Sequence, residues 1–220
     1  MMHPSAFPSE GGRILQWSEF TGRLFETADP YLEIRGDSEH AVISYGYALT
    51  LLQHEGGDRK IVEPAVILHD VGWSALKPEY ISVAYGVLAN GEEAERLNRI
   101  HEIEGAAIAE RILGAFNYDP GLIQTIRTII SRHDSGEDVS SLEEALVKDA
   151  DKLWRFSRTG FWRETERQHL KPATLLEFLA EKCKGWFFSA TAVTLARKEL
   201  VSRKDEINDL PSQGNETCGR

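Results

Sequence analysis

Cysteine is scarce in this chain: of 220 residues only Cys183 and Cys218 are cysteines. Two cysteines are too few for a disulfide framework or for a zinc site built from thiolates. Long apolar runs that would span a bilayer are also missing. The first residues, "MMHPSAFPSEGGR", lack the basic start and the apolar segment of a signal peptide. We therefore expect a cytoplasmic protein that does not act in a membrane.

Positive charge is in deficit as well. Lys and Arg number 25 against 35 Asp and Glu, which gives a formal net charge of −10. Proteins that bind long nucleic acid usually neutralise its phosphates with a basic stripe, so the composition disfavours such a partner. A small phosphorylated substrate remains compatible with an acidic protein, because a metal and a few local cations can hold one phosphate.

Runs of residues typical of strands are missing, and apolar residues recur at helical spacing nearly throughout. The length suffices for one good core. We predict an all-α protein with a helical domain at 1–202, whose core is about 38–155, and a polar, flexible C-terminal tail at 203–220. The predicted helices cover about 14–29, 38–56, 61–70, 91–113, 120–133, 141–153 and 172–201, with a loop at 71–79.

An apolar segment, "VEPAVILHD", ends in His69 and Asp70. A buried charge is costly unless it is paired or bound to a metal, so this ending needs a partner. His40, His101 and His133 lie on or beside the apolar faces of three other predicted helices. A shared metal centre would give all four imidazoles a partner, because neutral imidazole is a common metal ligand.

Two carboxylates in "LVKDADKLWRF", Asp149 and Asp151, are candidates to join these histidines. Residues two apart on a helix point roughly 200° away from each other, so only one of the two can face a given site. The spacing of apolar residues does not choose between them.

The ordered segments "SEHAVISYGYAL", "AVILHDVGW" and "VKDADKL" resemble the HD-domain superfamily of metal-dependent phosphohydrolases over about residues 38–153. The resemblance implies a single HD-type helical bundle and a first metal bound by His40, His69, Asp70 and Asp151. It selects Asp151 through the segment Ala-Asp-x-Leu, and leaves Asp149 as a carboxylate at the surface or behind the ligands. His101 and His133 are similar to the two extra histidines of binuclear members, in which the Asp of His-Asp bridges both metals.

The reaction that the resemblance implies is hydrolysis of a nucleotide or phosphate ester by a metal-activated hydroxide, with His69 and Asp70 as catalytic residues. Imidazole-rich ligation favours one or two ions of Mn or Fe, with Co, Ni, Zn or Mg as alternatives. The candidate phosphate contacts are Lys77, Arg132, Lys152 and Arg155. Some family nucleotidases carry a Glu shortly after His-Asp. Here Gly72 and Trp73 stand in that place, and Glu79 is the first acid.

Two other functions stay open. A few HD-fold proteins with the same six ligands resemble di-iron oxygenases that cleave C–P or C–C bonds, and a ligand set alone does not separate these from hydrolases. A non-catalytic metal-binding regulatory module is the third alternative, although the complete ligand set argues against it. Trp73 could stack on a base or cover the metals, and an exposed structural Trp fits the sequence equally well.

Overall fold

The computed structural model describes residues 18–35, 38–84, 86–87 and 89–210. Within these ranges the chain forms ten α-helices and no strand, which confirms the predicted all-α fold. The helices are α1 (Glu19–Leu32), α2 (Ser38–Glu55), α3 (Arg59–Leu68), α4 (Pro78–Ala84), α5 (Glu92–Ala115), α6 (Pro120–Ile130), α7 (Leu142–Trp154), α8 (Arg158–Arg167), α9 (Pro172–Lys182) and α10 (Ala190–Asn208). Two 3₁₀ segments, Glu33–Arg35 and Val71–Ala75, follow α1 and α3.

Capping residues explain where the well-predicted helices begin. The Asp119 side chain accepts hydrogen bonds from the backbone N–H groups of Gly121 and Leu122 at the start of α6. The Ser141 hydroxyl accepts from the N–H of Glu144 at the start of α7. The Glu144 carboxylate reaches back to accept from the N–H of Ser140, at 2.8 Å, which closes a capping box one residue before the N-cap.

Three predicted boundaries differ from the structure. Helix α1 continues through Asp29 and Pro30 to Leu32, because Leu32, at 3% exposure, keeps the last turn packed on the core. The predicted loop at 71–79 contains a 3₁₀ segment and the start of α4. The predicted helix at 172–201 is interrupted between α9 and α10, since Ser189 caps a new helix there.

The C-terminal boundary also differs. Helix α10 extends to Asn208, past the predicted domain end at 202, and Arg203 is only 4% exposed. Arg203 donates to Glu206 at 3.0 Å and lies 3.6 Å from Glu199, so this part of the chain belongs to the folded domain. The rest of the predicted tail, at 211–220, and residues 14–17 of the predicted first helix lie outside the described residues.

The helices pack so that one central group surrounds α3. Helix α2 packs against α3 and α7, α3 packs against α6 and α7, and α5 packs against α6 and the Val71–Ala75 segment. One large apolar core joins these elements, and a smaller cluster of Trp73, Leu76, Ile81, Ala84 and Leu97 lies beside it. Among the described helices, none is both long and apolar enough to cross a membrane. This packing directs α2, α5, α7 and the ends of α3 and α6 toward one another.

Candidate metal centre

His69 and Asp70 follow directly after α3, at the end of its buried face. His69 is 1% exposed and Asp70 is 5% exposed. The Nδ1 atom of His69 lies 2.7 Å from the carbonyl oxygen of Val66, an acceptor that requires a proton on Nδ1. In the neutral ring the Nε2 atom then carries the lone pair, and it points to the other residues of the centre.

His40 and Asp151 meet His69 on one side of the centre. The Nε2 atom of His40, on α2, lies 3.0 Å from Oδ1 of Asp151 and 3.1 Å from Nε2 of His69. The same Asp151 oxygen is 3.4 Å from Nε2 of His69. All three side chains are buried, so three potential ligand atoms converge in an interior shielded from water.

His101 and His133 form a second pair, with their Nε2 atoms 3.3 Å apart. His101 is on α5 and is fully buried, so its glutamate neighbours do not make it a surface histidine. The predicted helix at 120–133 included His133, but α6 ends at Ile130 and His133 lies in the turn that follows it. Its Nδ1 atom is 2.8 Å from the carbonyl oxygen of Ile130, which repeats the arrangement of His69 with Val66.

Asp70 lies between the two pairs and turns one oxygen to each. Its Oδ2 atom is 3.4 Å from Nε2 of His69 and 3.8 Å from Nε2 of His40. Its Oδ1 atom is 3.6 Å from Nε2 of His133 and 3.8 Å from Nε2 of His101. A carboxylate placed in this way can bridge two cations.

The donor set fits a divalent metal. Ligand atoms lie within 4.8 Å of one another in three groups: His40, His69 and Asp151; His69, Asp70 and His133; and His101, His133 and Asp134. Both His69 and His133 donate Nδ1–H to a backbone carbonyl, which orients Nε2 as a ligand in the way that metal-binding histidines are commonly oriented. Buried imidazoles whose Nε2 atoms face each other need a shared partner, and a cation supplies one.

The pKa values of His101 and His133, which both face Asp70, are shifted in opposite directions. Burial lowers the pKa of His101 to about 4. Burial also acts to lower the pKa of His133, but the hydrogen bond that its ring donates to Asp70 and the charge of Asp134 outweigh burial and raise that pKa to about 10. Burial disfavours ionised Asp151, yet hydrogen bonds with His40 and His69 hold its pKa well below the usual value. The ionised carboxylate of Asp151 therefore faces His40 and His69 at neutral pH.

Of the two positions expected for Asp149, at the surface or behind the ligands, the surface position is wrong. Asp149 is fully buried, and its oxygens accept hydrogen bonds from the backbone N–H groups of Phe188, at 2.9 Å, and Ser189, at 2.8 Å. It thereby holds the start of α10 against α7. Asp151 is the carboxylate of this pair that lies against His40 and His69.

The four predicted phosphate contacts lie in different surroundings. Arg155 is beside the centre, with its Nη1 atom 4.0 Å from Oδ2 of Asp151. Lys152 donates to the carbonyl oxygen of Trp186 at 2.8 Å. Arg132 pairs with the buried carboxylate of Glu144 at 2.8 Å, and Lys77 is exposed. Of these four cations, Arg155 is the one whose described contacts include a residue of the centre.

Sequence reasoning missed two carboxylates. Oδ2 of Asp134 lies 3.7 Å from Nε2 of His101, and the signal was present, because His133-Asp134 repeats the dipeptide of His69-Asp70. Glu102, fully buried, accepts from the backbone N–H groups of Asp134 and Ser135 at 2.9 and 2.8 Å. Glu102 thus holds the turn that carries His133, and nothing in its spacing distinguishes it from the exposed Glu104 nearby.

Trp73 is buried at 3% exposure, so the alternative of an exposed structural Trp is wrong. Its indole N–H donates to Oδ1 of Asp70 at 3.0 Å. Its ring lies on the imidazole of His101, with centroids 4.0 Å apart and planes 10° from parallel. Trp73 therefore touches two residues of the centre.

The fold and the centre together define a helical protein with a buried histidine–carboxylate cluster suited to a divalent metal. The family model described as "HD domain" matches residues 37–155, more than half of the chain, so this chain belongs to the HD-domain family. The crystal structure of an HD-superfamily hydrolase from Bacillus thuringiensis is similar, with a TM-score of 0.58 at 21% identity, covering 86% of this chain and 94% of that one. A likeness at this identity shows a shared fold. No curated protein matches significantly.

Proposed function

We propose that the chain is a metal-dependent phosphohydrolase acting on a small phosphorylated substrate, a nucleotide or a phosphate ester. The observation that carries the proposal is Asp70, whose two oxygens face two separate pairs of imidazole nitrogens. Two-metal hydrolases use such a shared carboxylate to hold two cations close together. The hydrolase described for the similar Bacillus thuringiensis structure supports the same reaction class.

In this proposal the ligands divide at Asp70. His40, His69, Asp70 and Asp151 would hold one metal, and His101 and His133 would hold a second together with Asp70. Mn or Fe suits this imidazole-rich set better than Mg, which prefers oxygen ligands. When bound, a divalent metal lowers the pKa of water and neutralises the charge of phosphoryl oxygens.

The chain's own residues orient these groups. The carbonyls of Val66 and Ile130 keep a proton on Nδ1 of His69 and His133, so that each ring presents Nε2. We assign His69 and Asp70 as catalytic residues because they are at the point where both imidazole pairs meet. We assign Arg155 to bind the phosphoryl group, since a guanidinium has five donors and can serve Asp151 and a phosphate oxygen together.

The test combines metal analysis with a substrate panel. Protein purified without added metal should contain a first-row divalent metal and release phosphate from one or more small phosphate esters. Asp70→Asn should lower kcat/KM by about a hundredfold to a thousandfold if Asp70 supplies electrostatic stabilisation to the reaction, the order found for such groups. Asp138→Asn, the same change at an exposed carboxylate, should leave activity unchanged.

Two results would contradict the proposal. Retention of most of the activity in Asp70→Asn would remove Asp70 from the reaction. Dioxygen uptake by the iron-loaded protein, without phosphate release from any ester, would instead indicate the di-iron oxygenase.

A further inference from the structure

Trp73 has two separate contacts with the half of the centre that contains His101 and His133. Its N–H donates to Oδ1 of Asp70, the oxygen that faces His101 and His133, and its ring lies on His101. We propose that Trp73 is a positioning residue that orients Asp70 and His101 and thereby sets the affinity of the second metal position. The inference rests on the proposed function, because it assumes that both positions bind metal.

The first step concerns the carboxylate of Asp70. Rotation about the bond to a carboxylate is broad and roughly twofold, so a carboxylate needs an external contact to hold its plane. The hydrogen bond of 3.0 Å from Trp73 holds Oδ1 on the side of His101 and His133. Oδ2 is then left to face His40 and His69. The loss of this N–H would free the carboxylate to turn away from the second position.

The second step concerns the ring of His101. His69 and His133 each have a backbone carbonyl next to Nδ1, at 2.7 and 2.8 Å. The Nδ1 atom of His101 is buried and has no hydrogen-bond partner among the described residues. Its ring is instead held by the parallel indole of Trp73. Trp73 thus fixes the plane of the His101 ring, whereas the carbonyls orient the rings of His69 and His133 through a hydrogen bond.

The third step concerns the rigidity of Trp73 itself. The indole packs in the small apolar cluster with Leu76, Ile81 and Leu97. The preceding Gly72 lets the turn approach α5, because a Cβ at that position would collide with the carbonyl oxygen of His101. Trp73 is therefore held on both sides, and its contacts with Asp70 and His101 are parts of a fixed surface.

Manganese binding to metal-stripped protein tests the inference, using isothermal titration calorimetry and the electron paramagnetic resonance signal of coupled Mn²⁺ pairs. The variant is Trp73→Phe, which keeps an aromatic ring and loses the N–H. Changes in residues that orient metal ligands typically weaken metal binding about 10–100-fold. We expect a loss of this size for the second Mn²⁺ only, with loss of the pair signal and little change in the affinity of the first.

Trp162→Phe is a matched control. Trp162 also donates its N–H to a carboxylate, Glu206, at 2.8 Å, but on α8 and α10. This variant should bind both Mn²⁺ ions as the unchanged protein does. If Trp73→Phe does not fold, benzothienylalanine at position 73 has the shape of indole without the N–H and should give the same selective loss.

The outcomes separate this inference from the proposed function. Failure of the unchanged protein to bind any Mn²⁺ would contradict the proposed metal centre. Binding of a single ion by the unchanged protein would overturn the inference, because no second position would exist. Two ions bound with unchanged affinities in both position-73 variants, or weakened equally at both positions, would also overturn it and leave Trp73 as packing alone.

Discussion

The imidazoles of the centre are oriented by two kinds of neighbour. His69 and His133 lie in turns just after helices, where the carbonyl three residues earlier accepts from Nδ1. His101 lies in the middle of α5, where helical bonding already uses the nearby carbonyls, and an aromatic ring takes over. For these three histidines, the position relative to a helix end matches the way in which the ring is held.

At the residue scale, Gly72 is the position where side-chain size matters most for the centre. Gly72→Ala should destabilise the protein by about 1–3 kcal/mol, the usual cost of forcing extra atoms into a packed site. The reason is that its Cβ would meet backbone atoms of His101 and Gly105, which have no flexible side-chain end to move aside. Urea unfolding measures the change.

The comparison variant is Gly46→Ala, in the middle of α2, where a Cβ would meet nothing within 4 Å. This change should be neutral or stabilising by about 0.5–1 kcal/mol, because Ala restricts the unfolded chain and favours helix. Equal effects of the two substitutions would show that close approach at Gly72 is not a constraint.

At the element scale, α6 and α7 could be predicted because their apolar residues recur at helical spacing and their capping residues, Asp119 and Ser141, are visible in the sequence. Helix α8 was missed because its ten residues, "RTGFWRETER", are mostly polar and include a glycine. Its position is set by Ser157, which caps it, and by buried Phe161, a contact that depends on the rest of the fold. The break before α10 was missed because apolar residues continue through "GWFFS".

Helix α10 is tied to α7 through Asp149, which gives a prediction for the two neighbouring aspartates. Asp149→Ala should lower the free energy of unfolding by about 2–3 kcal/mol, since two backbone N–H groups lose a carboxylate acceptor. Metal content should be retained. Asp151→Ala should have the opposite profile, with loss of metal. Denaturant unfolding and metal analysis of both variants check this, and metal loss in Asp149→Ala alone would reverse the two roles.

At the scale of the whole molecule, the sequence predicted the ligand residues of the centre better than it predicted the residues that surround them. The six predicted ligands do converge, because each lies on or beside an apolar face that must be buried. The choice of Asp151 over Asp149 came from the family resemblance alone. Burial would not have separated the two residues, because both are buried. The roles of Trp73 and Arg132 depend on contacts between segments far apart in the chain, and no local pattern encodes such contacts.

Arg132 belongs to a buried ionic group that holds the segment between α6 and α7. Glu144, fully buried, accepts from Ser140 and pairs with Arg132 at 2.8 Å and with Lys148 at 3.2 Å. Lys148, 1% exposed, donates in turn to the carbonyl oxygen of Gly136 at 2.6 Å. The segment that carries His133 is thus attached to α7, the helix that carries Asp151.

Loss of the Glu144 charge should therefore lower the free energy of unfolding of the domain, by an amount that depends on pH. Glu144→Gln should destabilise by about 3 kcal/mol at pH 7, because Arg132 and Lys148 lose their buried counter-charge. Burial acts to raise the pKa of Glu144, but hydrogen bonds from Ser140 and Lys148 outweigh it and lower that pKa below the usual 4.5.

The sign of the pH dependence follows from that lowered pKa. The stabilisation by ionised Glu144 is complete above the unfolded-state value of 4.5 and is lost as the pH falls through the lower folded-state value. The difference in unfolding free energy between the two proteins should then be constant from about pH 6 to 7 and shrink below about pH 4.5. Glu137→Gln, at an exposed position in the same segment, should show no such difference. A gap between the unchanged protein and Glu144→Gln that persists undiminished at pH 3 would mean that shape rather than charge holds the segment.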